Sequence, residues 1–155
     1  MQKIVPFLWF DTQAEEAAHF YVSVFKNSSI ENVSRFTNEE GLDQVMSVTF
    51  MLDGQEYNAL NGGPVFTFSP AISFFVNCED QAEVDRLWNQ LSDGGEQQQC
   101  GWLKDKYGIS WQIIPTVLGE LLGDEDPVKA QNVMEAMLTM NKIDIAELQK
   151  AYRSE

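Results

Sequence analysis

Hydrophobic and polar positions along this chain follow two periods, and the switches between them mark out its elements. Ile4 to Phe10 is a short apolar run that predicts a buried strand. Asp11 and Thr12 then supply an N-cap, with Thr12 and Glu15 spaced as a capping box. Ala17, Phe20, Tyr21, Val24 and Phe25 recur at helical spacing, one stripe for packing on a sheet. Asn27 to Ser29 closes that helix. Ile30 to Phe36 and Val45 to Leu52 predict strands on either side of a polar loop, Thr37 to Asp43. Asp53-Gly54 is a strong hairpin signal that returns the chain along Glu56 to Asn61, and Gly62, Gly63 and Pro64 break the pattern. The order is β, α, β, β, β.

The same order comes again. Ala71 to Asn77 predicts an aromatic strand, Asp80 and Glu83 signal a helix start, and Val84, Leu87, Trp88 and Leu91 form its stripe. A shift of 67 residues lays Ala17, Phe20, Tyr21 and Val24 on these four, an internal repeat. Gly94-Gly95 ends the helix and Glu96 to Gln99 begins a short strand. Cys100 to Pro115, CGWLKDKYGISWQIIP, then predicts a hairpin. Trp102 to Lys106 is one arm, Gly108 relaxes the turn, and Ser110 to Ile114 alternates polar with apolar before Pro115 withholds a ladder donor.

Residues 116–155 predict helices. Thr116 to Leu122 is a short apolar turn, Pro127 suits a first helical position, and Val133, Met137 and Met140 line one face, with Met134 in the same methionine stripe. Asp144 and Glu147 start a last helix bearing Ile145, Leu148 and Tyr152. The expected architecture is α+β: two tandem βαβββ modules, 1–64 and 71–115, paired as one domain over 1–115, with a C-terminal helical extension over 116–155.

Charge and cysteine usage narrow the function classes. Ten Lys and Arg stand against 24 Asp and Glu, a net charge of −14, which repels phosphate backbones and anionic membranes and argues against nucleic acid as a partner. Two cysteines, Cys78 and Cys100, are too few for a disulfide framework or zinc cluster. The single histidine, His19, lies off the helical stripe, where a solvated position is expected of it. No apolar run reaches membrane-spanning length, so a cytoplasmic protein with no membrane partner is expected.

Two βαβββ units of this length resemble the vicinal oxygen chelate superfamily of glyoxalase, extradiol dioxygenase, fosfomycin-resistance and bleomycin-binding proteins. The segments PFLWFDTQAEEAAHFY, YNALNGGP, VNCEDQAEVDRLW and CGWLKDKYGISWQIIPTVLGELL are similar to the PhnB-like family, described as 3-demethylubiquinone-9 3-methyltransferase-like. The resemblance implies sheets curled into a concave wall and a homodimer. Metal-dependent members place His or Glu on inward strand positions. Here those positions map near Pro6, Ala59, Ser73 and Gln112, a poor donor set for a transition metal. The strand-to-helix turns FDTQAE and NCEDQAE lack the glycines of a nucleotide-cofactor turn. Neither a metal nor a cofactor is expected.

Strand parity proposes a binding wall. Residues two apart share a face, so Tyr57 goes with Asn61, Ser73 with Phe75, and Ser110 with Gln112, while Trp111 and Ile113 point to the helices. Trp102 either stacks on a ligand or is structural. Lys104 and Lys106 either guard a strand edge or meet a ligand anion. The expected ligand-binding residues are Tyr57, Asn61, Ser73, Trp102 and Gln112, in a protein that holds a small organic molecule in an aromatic-lined cavity. The alternative is a lyase- or dioxygenase-type enzyme acting on a carbonyl or quinone-like compound, with no catalytic residue identified.

Overall fold

Two successive residues with positive φ, Asp53 at 48° and Gly54 at 77°, make the tight turn that joins β3 (Asp43–Leu52) to β4 (Gln55–Asn61). Aspartate tolerates the left-handed region and glycine has no Cβ to clash there, so the dipeptide sets the register of the hairpin. Leu52 faces Gln55 and the ladder runs to Ser47 against Leu60.

The computed structural model describes residues 1–155, which form two compact units, residues 1–68 and 69–155. In the first, β1 (Phe7–Phe10), α1 (Ala14–Val24), β2 (Ser29–Thr37), β3 and β4 build a four-stranded sheet ordered β1-β4-β3-β2, with β1 and β4 parallel. Ala14, Ala17 and Ala18 are fully buried, so α1 sits close on the sheet. Tyr21 stacks on Phe50, which stacks on Tyr57, giving an aromatic column from helix to β4. The helix start differs from the capping box expected at Thr12 and Glu15. Gln13 occupies the N-cap position without a side-chain bond, and the Ala14 amide instead donates to Asn61 Oδ1 at 2.8 Å. An acceptor 47 residues away replaces the local one.

The second unit repeats the plan. β5 (Ser73–Cys78), α2 (Gln81–Ser92), β6 (Glu96–Gln97), β7 (Trp102–Lys104) and β8 (Ser110–Pro115) form a sheet ordered β5-β8-β7-β6, with β5 and β8 parallel. The internal repeat is therefore a repeat of topology, with the outer strands trimmed to two and three residues. Its helix cap is local: Asp80 Oδ1 accepts from Glu83 N, and Glu83 Oε2 accepts from Glu79 N, both at 2.9 Å. Val84, Leu87, Trp88 and Leu91 are buried beneath it, as the stripe requires.

The tail belongs to the second unit. α3 (Thr116–Leu122), α4 (Pro127–Met137) and α5 (Ile145–Arg153) gather Leu118, Val133, Ile143 and Leu148 around Ile114, with Met137 and Met140 packed against them. Met134 lies outside this cluster and is exposed. Pro127 opens α4, whose first amides donate to Asp126. A glutamine ties the tail to α2: Gln81 Nε2 donates to the Ile143 carbonyl at 3.0 Å, and the Ile145 amide donates to Gln81 Oε1 at 2.8 Å. Lys142 and Asp85 add an ion pair at 2.9 Å. No helix is long and apolar enough to cross a membrane.

Candidate functional site

Each sheet has one face under its helix and one face turned away, and the side chains on the far faces are the candidates for chemistry. In the second unit, Phe74 and Trp111 meet at a tilt beneath α2, with ring centroids 5.1 Å apart, and Ile113 is fully buried. The alternate residues therefore lie on the face away from α2. There Gln112 Nε2 donates to Ser73 Oγ at 2.9 Å. The residues in register with Gln112 are Phe75 on β5 and Trp102 on β7. Phe75 is 53% exposed, although it is a phenylalanine in the middle of a strand. Three of the five expected binding residues, Ser73, Trp102 and Gln112, thus share one face. Lys104 lies at its outer edge, in register with Ser110 on one side and Glu96 on the other.

Tyr57 and Asn61 do not belong to such a face. Tyr57 is in the aromatic column under α1, and burial pushes its hydroxyl above the ordinary value, with nearby Asp53 adding to the effect. Asn61 Oδ1 holds the Ala14 amide and its Nδ2 donates to the Val45 carbonyl at 3.2 Å, so both ends are engaged in holding α1 and β3. Ala59, between them, is fully buried on the same side, so it was not an inward-facing position of the far face. Parity on β4 is displaced by one residue from the expected assignment. The reason is chemical: β4 carries an asparagine on each face, and the one beneath the helix is made tolerable by its two hydrogen bonds.

The residues that do occupy the far face of the first unit are Phe7, Trp9, Thr49, Asn58 and Leu60. Asn58 is in register with Phe7 and Thr49, and Leu60 with Trp9. Thr49 Oγ1 donates to Asn58 Oδ1 at 2.6 Å, and Phe7 is 60% exposed. Each unit therefore presents an amide bonded to a hydroxyl, next to an exposed phenylalanine. The alternation of Asn58 and Leu60 was a signal for this, but only once the burial of Ala59 fixes the phase. Trp9 is less available, because its indole N–H donates to the Gly63 carbonyl and its ring meets Phe66.

The hairpin that positions Trp102 and Gln112 is organised by a carboxylate that periodicity did not single out. Asp105 is 2% exposed. Its Oδ1 accepts from the Tyr107 and Ile109 amides at 2.8 and 3.0 Å, and its Oδ2 accepts from the Trp111 indole at 2.9 Å. The local sequence signal was an aspartate opening a turn six residues before a tryptophan. Gly101 fixes the other end, with its amide on the Asn141 carbonyl and its carbonyl on the Ile113 amide.

A groove of about 470 Å³ lies elsewhere, where the N-termini of α2 and α5 meet. Its acidic side chains Asp80 and Asp144 already accept from helix amides, and Gln81 is taken up by the tail. Below it, Asp85 is held beneath the usual carboxylate range by hydrogen bonds from Gln81 and then Lys142. Asp80, Asp144 and Gln81 serve the ends of α2 and α5. Cys78 is buried, and desolvation, reinforced by Glu83, pushes its thiol up to about 12. His19 is exposed on α1.

The model of the family described as 3-demethylubiquinone-9 3-methyltransferase matches residues 2–114. A PhnB protein from Bacillus cereus is 39% identical, over 74% of this chain and all of that one, with a TM-score of 0.69. The chain belongs to this PhnB-like family. Its α3 to α5 lie beyond the family match, which is therefore shorter than the resemblance through the tail suggested. Protein PA1353 from Pseudomonas aeruginosa is similar in fold, with 22% identity, 74% and 98% coverage and a TM-score of 0.62. The fosfomycin resistance protein FosX from Listeria monocytogenes is 13% identical, with 79% and 98% coverage and a TM-score of 0.56. These two share the fold of the chain. No curated protein matches in sequence.

Neither group that the family names suggest fits the residues present. The hydroxyls and amides of the two far faces are poor ligands for a divalent transition metal. A nucleotide-like methyl donor would need open amides at a strand-to-helix turn. In this PhnB-like chain the Ala14 amide at the start of α1 is answered by Asn61, and the Glu83 and Glu79 amides at the start of α2 by Asp80 and Glu83.

Proposed function

We propose that this PhnB-like protein binds a small organic molecule on the face of the second sheet that is turned away from α2. One observation carries the reading. A hydrogen-bonded amide and hydroxyl, Gln112 and Ser73, sit beside a phenylalanine that the sheet leaves 53% exposed. An isolated exposed aromatic is ordinary surface, but an aromatic in register with an ordered polar pair is the usual make-up of a small-molecule site. Trp102, in register with Gln112 from the other side, extends the apolar contact.

Binding without turnover suits the residues better than catalysis does. A proton-abstracting enzyme needs a base within reach of the substrate, and the titratable groups in the strand rows of this face are Lys104 and Glu96, opposite each other at the outer edge. The same reading has the protein acting in the cytoplasm as a homodimer, with exposed Phe7, Phe36 and Met46 as additional contact surface. Light scattering that gives a monomer at micromolar concentration would remove the dimer.

Thermal-shift screening of a metabolite and antibiotic panel tests the binding claim. A ligand is expected whose stabilisation is lost in Gln112→Ala and kept in Thr49→Ala. A ligand whose stabilisation Gln112→Ala leaves unchanged would remove this face as the site.

A further inference from the structure

Resting on that reading of the second unit's far face, the geometry points to the chemical class of the ligand: an uncharged ring bearing a hydrogen-bond donor beside an acceptor, as a primary carboxamide or lactam does. The argument begins with what the Gln112–Ser73 pair leaves over after bonding to itself. With Nε2 donating to Ser73 Oγ, the pair keeps the Gln112 carbonyl oxygen as an acceptor and the second Gln112 N–H and the Ser73 O–H as donors. If the amide is turned over, the serine donates to Oε1, and the pair keeps both Gln112 N–H groups as donors and the remaining lone pairs of Oε1 and Oγ as acceptors. In both arrangements it keeps at least one donor and one acceptor. A partner that answers both must carry one of each.

Charge selects against ions on the same face. An anion would have to leave water for a neutral pair, and the nearby cation, Lys104, stands opposite Glu96 on the neighbouring strand. The chain's net charge of −14 adds to that disfavour. A cation would find its carboxylate at the sheet edge, beside that lysine, and not next to Gln112. Phe75 and Trp102 flank Gln112 from adjacent strands, each roughly 4.8 Å away across the ladder, so a flat ring laid over the amide meets aromatic surface on both sides. The Thr49–Asn58 pair beside Phe7 repeats the neutral amide-hydroxyl construction in the first unit.

A matched series of benzamide, methyl benzoate, benzoate and benzamidine varies only the head group, and ligand-observed NMR titration of the full chain ranks it. Benzamide is expected to bind about tenfold tighter than methyl benzoate, the value of one hydrogen bond lost with its partner left unpaired. Both ions are expected to be weaker than benzamide. In Gln112→Leu the benzamide advantage over methyl benzoate should fall to near one, and in Gln112→Glu the preference should move to benzamidine. Equal affinity of the native protein for benzamide and methyl benzoate, or an ion ranked first, overturns the inference. So does the absence of binding by all four. The broader reading fails separately, when no ligand in the panel screen depends on Gln112.

Discussion

Replacing Asp105 by asparagine changes one atom, and the structure says what that atom does. The carboxylate is 2% exposed and accepts three hydrogen bonds, two at Oδ1 from backbone amides and one at Oδ2 from the Trp111 indole. An amide has one acceptor oxygen. If that oxygen takes the two backbone amides, the new NH2 faces the indole N–H; if it takes the indole, the NH2 faces the backbone. Either orientation sets donor against donor in a site closed to water. The expected cost is about 2–3 kcal/mol, the loss of a charge-assisted bond together with a stranded buried donor. Asp105→Ala, which strands all three donors, should cost about 3–5 kcal/mol. Trp111→Phe removes the indole donor, so it should relieve part of the asparagine penalty. A double-mutant cycle of the two substitutions should give a coupling of about 1–2 kcal/mol. Guanidinium unfolding followed by far-ultraviolet circular dichroism measures all four proteins. An Asp105→Asn protein within about 0.5 kcal/mol of native, or a cycle with no coupling, would refute the view that this carboxylate organises the hairpin.

Other consequences are as specific. Gly101→Ala places a Cβ 2.7 Å from Ile114 Cδ1 and 3.0 Å from the Ile113 carbonyl at a φ of 82°, and should destabilise the protein by about 1–3 kcal/mol by the same unfolding assay. Gln81→Ala frees the Ile145 amide and the Ile143 carbonyl, so hydrogen exchange should quicken at the start of α5 while β5 and β8 keep their protection. Asn61→Ala should weaken α1 by about 1–2 kcal/mol through the uncapped Ala14 amide, without changing ligand affinity in the panel screen. The raised Cys78 thiol means that the unfolded chain ionises first on raising pH. Its contribution to stability is intact below pH 9.0 and is lost as pH climbs toward about 12; at neutral pH an alkylating reagent should modify Cys100 and spare Cys78, as mass spectrometry of the intact protein can count.

What could be read in the sequence was what is local. Asp53-Gly54 fixed a hairpin because two adjacent residues carry the whole turn, and Asp80 with Glu83 marked a helix start because both bonds close within five residues. The start of α1 was misread for the opposite reason. Thr12 and Glu15 have the right spacing, but the amide they would answer is held from β4. The faces of β5 and β8 were legible because Trp111 and Ile113 are bulky and apolar and Ser110 and Gln112 are not. On β4 the contrast is weak: Asn58 and Asn61 fall on opposite faces, and only the three-dimensional bond to α1 tells them apart. The pairing of Thr49 with Asn58 and the burial of Asp105 are likewise tertiary facts, invisible to a periodicity.

The account stands on which face of the second sheet meets the ligand, and side-chain amide NMR reads that directly. With the protein labelled with nitrogen-15 and benzamide titrated in, the Gln112 side-chain NH2 resonances should move in step with binding, together with the Phe75 backbone amide. Those of Asn61 and Gln81, engaged in structure, should stay in place. Shifts concentrated at Gln81 and Gln149, with Gln112 unmoved, would put the ligand in the groove between α2 and α5 and contradict the assignment.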